Sequence, residues 1–140
     1  MYIIGIVYGW LYIFYMSLGW SQPPNKKPFR KLFDNKTFLI HFAITLAIAL
    51  FGFYRCNNGN YRETLFLAPV FYLLLLRLLN PIIVSLENRH IFFMGRGDPK
   101  PTGYKWYLDA PLGLLIVVLP IWNSMFLMNY FRFGVYGFVH

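Results

Sequence analysis

The chain has 140 residues, 58% of them hydrophobic and only 13% charged, and a formal net charge of +8. Soluble domains carry about a quarter of their residues as charge, and a globule this small cannot hide so much apolar surface from water, so the composition excludes an ordinary soluble domain. Most of the basic surplus lies in two short segments between apolar runs, where membrane topology accounts for it, and nucleic-acid binding is set aside.

A helix needs about 20 predominantly apolar residues to cross the hydrocarbon core, and four segments approach that length. The first, residues 2–20, is uncharged. It has no basic n-region and no small-residue cleavage site, so a retained helix is expected in place of a removed signal peptide. Gly5 and Gly9 form a GxxxG pair that permits close helix approach, and Tyr8, Tyr12 and Tyr15 share a side. The second segment, residues 37–54, carries His41, Thr45, Ala49 and Gly52 at helical spacing, a stripe of small and polar residues. Ahead of the third segment, residues 64–86, Asn60 and Glu63 have the spacing of a capping box. The fourth segment, residues 110–131, is expected to start at Asp109 and Pro111, with Gly113, Pro120 and Ser124 marking an irregular face. The Pro- and Gly-rich stretches QPPNKKP and GRGDPKPTG belong to loops 21–36 and 87–109, and a turn role is expected for Asp98. These segments predict a single all-α domain, residues 1–140, folded as a polytopic four-transmembrane-helix bundle with short loops.

Lys and Arg number nine in the first and third loops, against three, Arg55, Arg62 and Arg132, on the other side. That bias places both loops in the cytoplasm and both termini outside. Trp10, Trp20, Trp106, Tyr107 and Tyr130 suit membrane interfaces in part, although Trp10 falls mid-span. Compact loops and the missing signal peptide suggest a bacterial inner membrane. Cys56 is the lone cysteine, so no intramolecular disulfide forms.

The stretch FYLLLLRLLNPII places Arg77 inside the third span. A charge at that depth either faces the bundle interior or reaches toward the headgroups. Asn80 follows at i+3, and Pro81 removes the helical partner of the Arg77 carbonyl, which favours an inward site. His41 and Asp109 fall in the same leaflet. The sequence reading therefore gathers Arg77, Asn80, His41 and Asp109 into one polar intramembrane cluster, with Arg77 and Asp109 as its ion pair. Gly5, Gly9, Thr45, Ala49, Gly52 and Gly113 are expected at helix-packing positions.

No catalytic residues, metal ligands or cofactor emerge. His41, His90 and His140 with one cysteine supply no recognisable ligand set, and there is no P-loop, HExxH, nucleophile elbow or carboxylate pair. RGD, residues 96–98, falls on the predicted cytoplasmic side, away from any adhesion role. The expected function is non-catalytic: binding a protein partner in the lipid bilayer, as a small subunit or accessory of a membrane assembly or as an immunity-type protein. The aromatic tail NYFRFGVYGFVH adds to that expectation. The alternative is a homo-oligomeric pore or small transporter in which a ring of Arg77 favours anions.

Overall fold

A computed structural model describes residues 2–19, 23, 26–95 and 97–133. Trp20, Arg96, His140 and the tail after Phe133 lie outside the described residues. Four α-helices carry most of the described chain: α1 (Tyr2–Leu18), α2 (Asn35–Asn57), α3 (Ala68–Glu87) and α4 (Trp106–Phe133). Two 3-10 segments, Pro28–Phe33 and Tyr61–Leu67, lead into α2 and α3. The described residues contain no strand.

Three helical stretches are long and apolar enough to cross a membrane: Asn35–Asn57, Tyr61–Glu87 and Trp106–Phe133. The fourth helix, α1, is equally apolar, but its 17 residues extend only about 25 Å at 1.5 Å per residue, short of a typical core of about 30 Å. Outward faces are rich in large apolar residues, among them Leu39, Ile44 and Leu50 on α2, Leu78 and Leu86 on α3, and Leu114, Leu119 and Trp122 on α4. Water would penalise such a surface, and acyl chains would not. Only 17% of the most apolar window of α2 is buried, against 28% for α4 and 44% for the third stretch. So α3 is the central helix and α2 lies at the periphery.

Local chemistry explains the helix boundaries. Asp34 caps α2, its side chain accepting from the Thr37 N–H and Oγ1, both at 2.9 Å. Those bonds, the backbone one first, hold the Asp34 carboxyl below its ordinary pKa. Asn88 ends α3 in the left-handed region at φ 52°. The expected capping box is not formed. Asn60 makes no side-chain cap bond, and the chain enters α3 through a 3-10 segment. Glu63 turns instead to Arg55 and is gripped at 3.0 and 3.1 Å, because a buried carboxylate gains more from a forked guanidinium than from one amide. The fourth helix starts ahead of expectation, at Trp106, so Asp109 and Pro111 sit inside it. At Pro120 the Ser124 hydroxyl donates to the proline carbonyl at 2.9 Å.

The chain has two differently built ends. At one, Tyr61–Leu67 packs among α1, α2 and α4, with Arg132 near the end of α4 standing 5.6 Å from the Tyr61 ring. The start of α1 and the ends of α2 and α4 therefore lie together. At the other, the segment Pro28–Phe33 meets residues 88–105: Phe29 sits edge-on to Phe93 at 4.6 Å, and Phe33 stacks on His90 at 4.1 Å. Both basic loops thus form a single cap. Between the ends run Ile13 and Met16 of α1, Tyr72, Leu73, Leu76 and Ile83 of α3, and Ile116 of α4. Within that core the Ser17 hydroxyl donates to the Tyr72 hydroxyl at 3.1 Å.

Candidate functional site

The most heavily bonded polar group is Asp109, fully buried in the first turn of α4. Its two oxygens accept from Arg89 at 2.9 and 2.8 Å, from the Phe92 N–H at 3.1 Å and from the Lys105 N–H at 2.9 Å. Four donors on one carboxylate meet the cost of burying it and pin both ends of the loop between α3 and α4. The same bonds raise the Arg89 guanidinium above its ordinary pKa.

This arrangement corrects the expected Arg77–Asp109 pair. Asp109 is saturated by Arg89, which the folded-back loop delivers to it. Arg77 lies on an exposed face of α3 and reaches along the molecule to the first residue of α2, donating from Nη2 to Asn35 Oδ1 at 2.6 Å. Its guanidinium rests 5.1 Å from the Phe38 ring centroid. It is therefore an outward residue whose long stem carries the charge toward the helix ends, the geometry of snorkelling.

The other two members of the expected cluster also take separate partners. His41 Nδ1 bonds the Tyr12 hydroxyl at 3.0 Å, joining α2 to α1. Asn80 is buried and ties α3 to the loop: its Oδ1 accepts from the Ile91 N–H at 3.1 Å, and its Nδ2 stands 2.9 Å from His90 Nδ1. Because Oδ1 is committed to an N–H, Nδ2 must donate, so His90 Nδ1 accepts and its proton is on Nε2. Burial first, and the nearby Arg30 second, hold His90 below its ordinary pKa, which keeps that neutral form. Of the four residues, Arg77 and Asn80 line one recess.

Asp98 does more than shape a turn. It accepts from the Gly95 N–H and from Lys27, whose ammonium is fully buried. Burial raises the Asp98 carboxyl, but the bonds from Lys27 and Gly95 outweigh it and hold the pKa below the ordinary value. Lys105 pairs with Glu87 at 2.6 Å. All five side-chain carboxylates are thus committed: Asp34 to a helix cap, Glu63, Glu87, Asp98 and Asp109 to basic side chains.

The small residues occupy tight places. A Cβ on Gly9 would stand 2.8 Å from the Leu65 carbonyl oxygen, and one on Gly52 2.6 Å from Phe66 Cβ. On Gly5 and Gly113 it would meet the Phe66 and Phe93 rings at 3.2 Å. Thr45 and Ala49 are buried on α2, and Thr45 Oγ1 donates to the His41 carbonyl at 2.9 Å. Tyr8 Oη is buried without a hydrogen-bond partner, and Cys56 is a buried free thiol.

Three concavities matter. A groove of about 440 Å³ runs between α1 and α4, lined by Trp10, Phe14, Val118, Trp122, Met125 and Phe126. It shares Phe14 and Val117 with a cavity of about 220 Å³ beside Asp109, Phe93 and Tyr104. A smaller recess of about 100 Å³ lies under Arg77, Asn80 and His90. Among the described residues no three His, Cys, Asp or Glu side chains are grouped to hold a metal ion. Sequence reasoning missed Arg89 as the partner of Asp109; the signal was its place beside His90 just past the end of α3, a helix end from which the loop must return. No family model, curated protein or solved structure matches the chain.

Proposed function

We propose that the protein is a non-catalytic integral membrane protein that crosses the bilayer four times, with both termini outside, and acts by binding a protein partner. In that role it serves as a small subunit of a membrane assembly or as an immunity-type protein of a bacterial inner membrane. Alternation of the helix ends supports four crossings, since α1 begins beside Phe66 at one end and finishes beside Tyr72 and the basic cap at the other. The short α1 then reaches across by local thinning or by its flanking residues.

The observation that carries the partner reading is the commitment of every side-chain carboxylate to an internal bond. Chemistry-bearing groups are spent on holding loops to helices, while the uncommitted features face outward. Chief among these is the aromatic groove between α1 and α4, whose Trp10 and Trp122 are the residue type that dominates binding energy at interfaces. A partner helix laid in this groove would bury them. The pore alternative draws no support from Arg77, whose guanidinium is bonded to Asn35 beside Phe38.

The test is capture of the tagged full chain from native membranes, with mass measurement of the isolated complex. One stoichiometric partner is expected, its retention reduced at least about tenfold by Trp122→Ala, the loss typical of an interface anchor. Retention of the partner by the variant, or a species built of this chain alone, would overturn the proposal.

A further inference from the structure

The recess under Arg77 has the makings of an anion site. Its floor is polar, Asn80 and His90, and its walls are apolar, Leu32, Phe33, Leu76 and Pro81. Arg77 spends one N–H on Asn35, and a guanidinium has five, so donors remain for a ligand. The Asn80 bond assigned above leaves His90 with a proton on Nε2, a second donor from a side chain that lines the same recess. Arg30, in the facing 3-10 segment, adds positive charge and is close enough to depress His90.

Among the described residues no carboxylate pairs with Arg77 or His90. Four of the five are paired with Lys27, Arg55, Arg89 and Lys105, and the nearest along the chain, Asp34, is turned to Thr37. At about 100 Å³, the recess has the room of roughly three waters at about 30 Å³ each, enough for a phosphate group. Arginine's planar fork also matches phosphate oxygens in geometry. Ahead of Asn80 and Pro81 on the same helix, on the side of the recess away from the basic cap, Leu74 and Leu78 are exposed at 40 and 66%. An apolar strip leading to a cationic recess is the shape of a lipid: chains along the strip, headgroup at the top.

We propose that this recess binds a phosphate oxyanion, carried by the headgroup of an anionic phospholipid whose acyl chains lie along Leu74 and Leu78. The site needs membrane insertion but no protein partner, so its failure would leave the partner reading untouched.

Native mass spectrometry of the full chain in a neutral detergent tests this, with phosphatidylglycerol, phosphatidylcholine and inorganic phosphate as probes. Phosphatidylglycerol should be retained about fivefold or more in preference to phosphatidylcholine, the gain expected from one basic side chain at an anionic headgroup. Arg77→Gln should abolish that preference, Arg77→Lys should keep part of it, and Lys100→Gln, in the opposing loop, should leave it intact. Equal retention of the two lipids by the unaltered protein would overturn the proposal, whether or not the variants fold. A preference surviving in monodisperse Arg77→Gln would do the same. Millimolar inorganic phosphate is expected not to displace the lipid; full displacement would assign the recess to a free oxyanion and overturn the lipid assignment.

Discussion

At the basic cap, beside the Phe29–Phe93 and Phe33–His90 contacts, the loops are stitched by charge: Lys27 with Asp98 between the two loops, Arg89 with Asp109 and Lys105 with Glu87 within the second, and Asn80 spanning helix and loop. Around Tyr61–Leu67 the reverse holds, and apart from the Arg55–Glu63 pair the contact is made by absence of side chains, Gly5, Gly9 and Gly52 admitting Phe66 and the Leu65 carbonyl. The first end joins irregular segments, where side chains complete the backbone bonding, Asn80, Asp98 and Asp109 accepting from the N–H groups of Ile91, Gly95, Phe92 and Lys105. The second joins helices, which satisfy their own backbone and are limited only by how closely they approach. One small chain therefore uses polar stitching where its backbone is irregular and close packing where it is helical.

The contrast is broken most severely at Asp109. Asp109→Asn leaves a half-buried Arg89 without its counter-charge and is expected to cost roughly 3–5 kcal/mol, seen as early thermal unfolding in detergent. Adding Arg89→Met to Asp109→Asn should recover part of the loss, because no lone charge is then left behind and the amide oxygen at 109 can still accept a loop N–H. At the other end, Gly52→Ala places a methyl 2.6 Å from Phe66 Cβ and should cost about 1–3 kcal/mol by overpacking. Gly113→Ala meets a ring at 3.2 Å that can give way, so it should cost less, and an equal cost would show that the two glycines are held alike. The smallest effect concerns acid. The Asp98 carboxyl is held below its ordinary value of 3.8, so the stability it lends is complete above that pH and fades as pH falls through the lower, folded-state value. Thermal midpoints of the protein and of Asp98→Asn should therefore differ near neutral pH and converge below about pH 4. A constant gap across that range would remove the carboxylate from the explanation.

The long apolar helices were legible in the sequence because hydrocarbon thickness imposes a length that shows directly in FLIHFAITLAIALFGFY or in the run through the fourth helix. At Gly9 and Gly52 an added Cβ would meet the Leu65 carbonyl oxygen and Phe66, a closeness that small residues at helical spacing permit. The polar site was not legible. Helical periodicity told which residues share a face with Arg77, but not how far a flexible stem reaches, and the reach took it to Asn35. Asp109 had two arginine partners open to it, and choosing Arg89 over Arg77 required knowing that the loop doubles back through Ile91 and Phe92. Side chains that cross-link segments distant in sequence leave no periodic trace.

The buried Lys27 has a consequence for how the chain is made. Its only carboxylate partner among the described residues, Asp98, lies 71 positions further on, beyond two intervening helices. A ribosome delivering the polypeptide from its amino end exposes this ammonium for the whole interval in which α2 and α3 are produced. The cap must then close late, as one of the last events of assembly, and a truncated translation product that stops short of residue 98 would keep a solvated lysine where the finished protein has a sealed one.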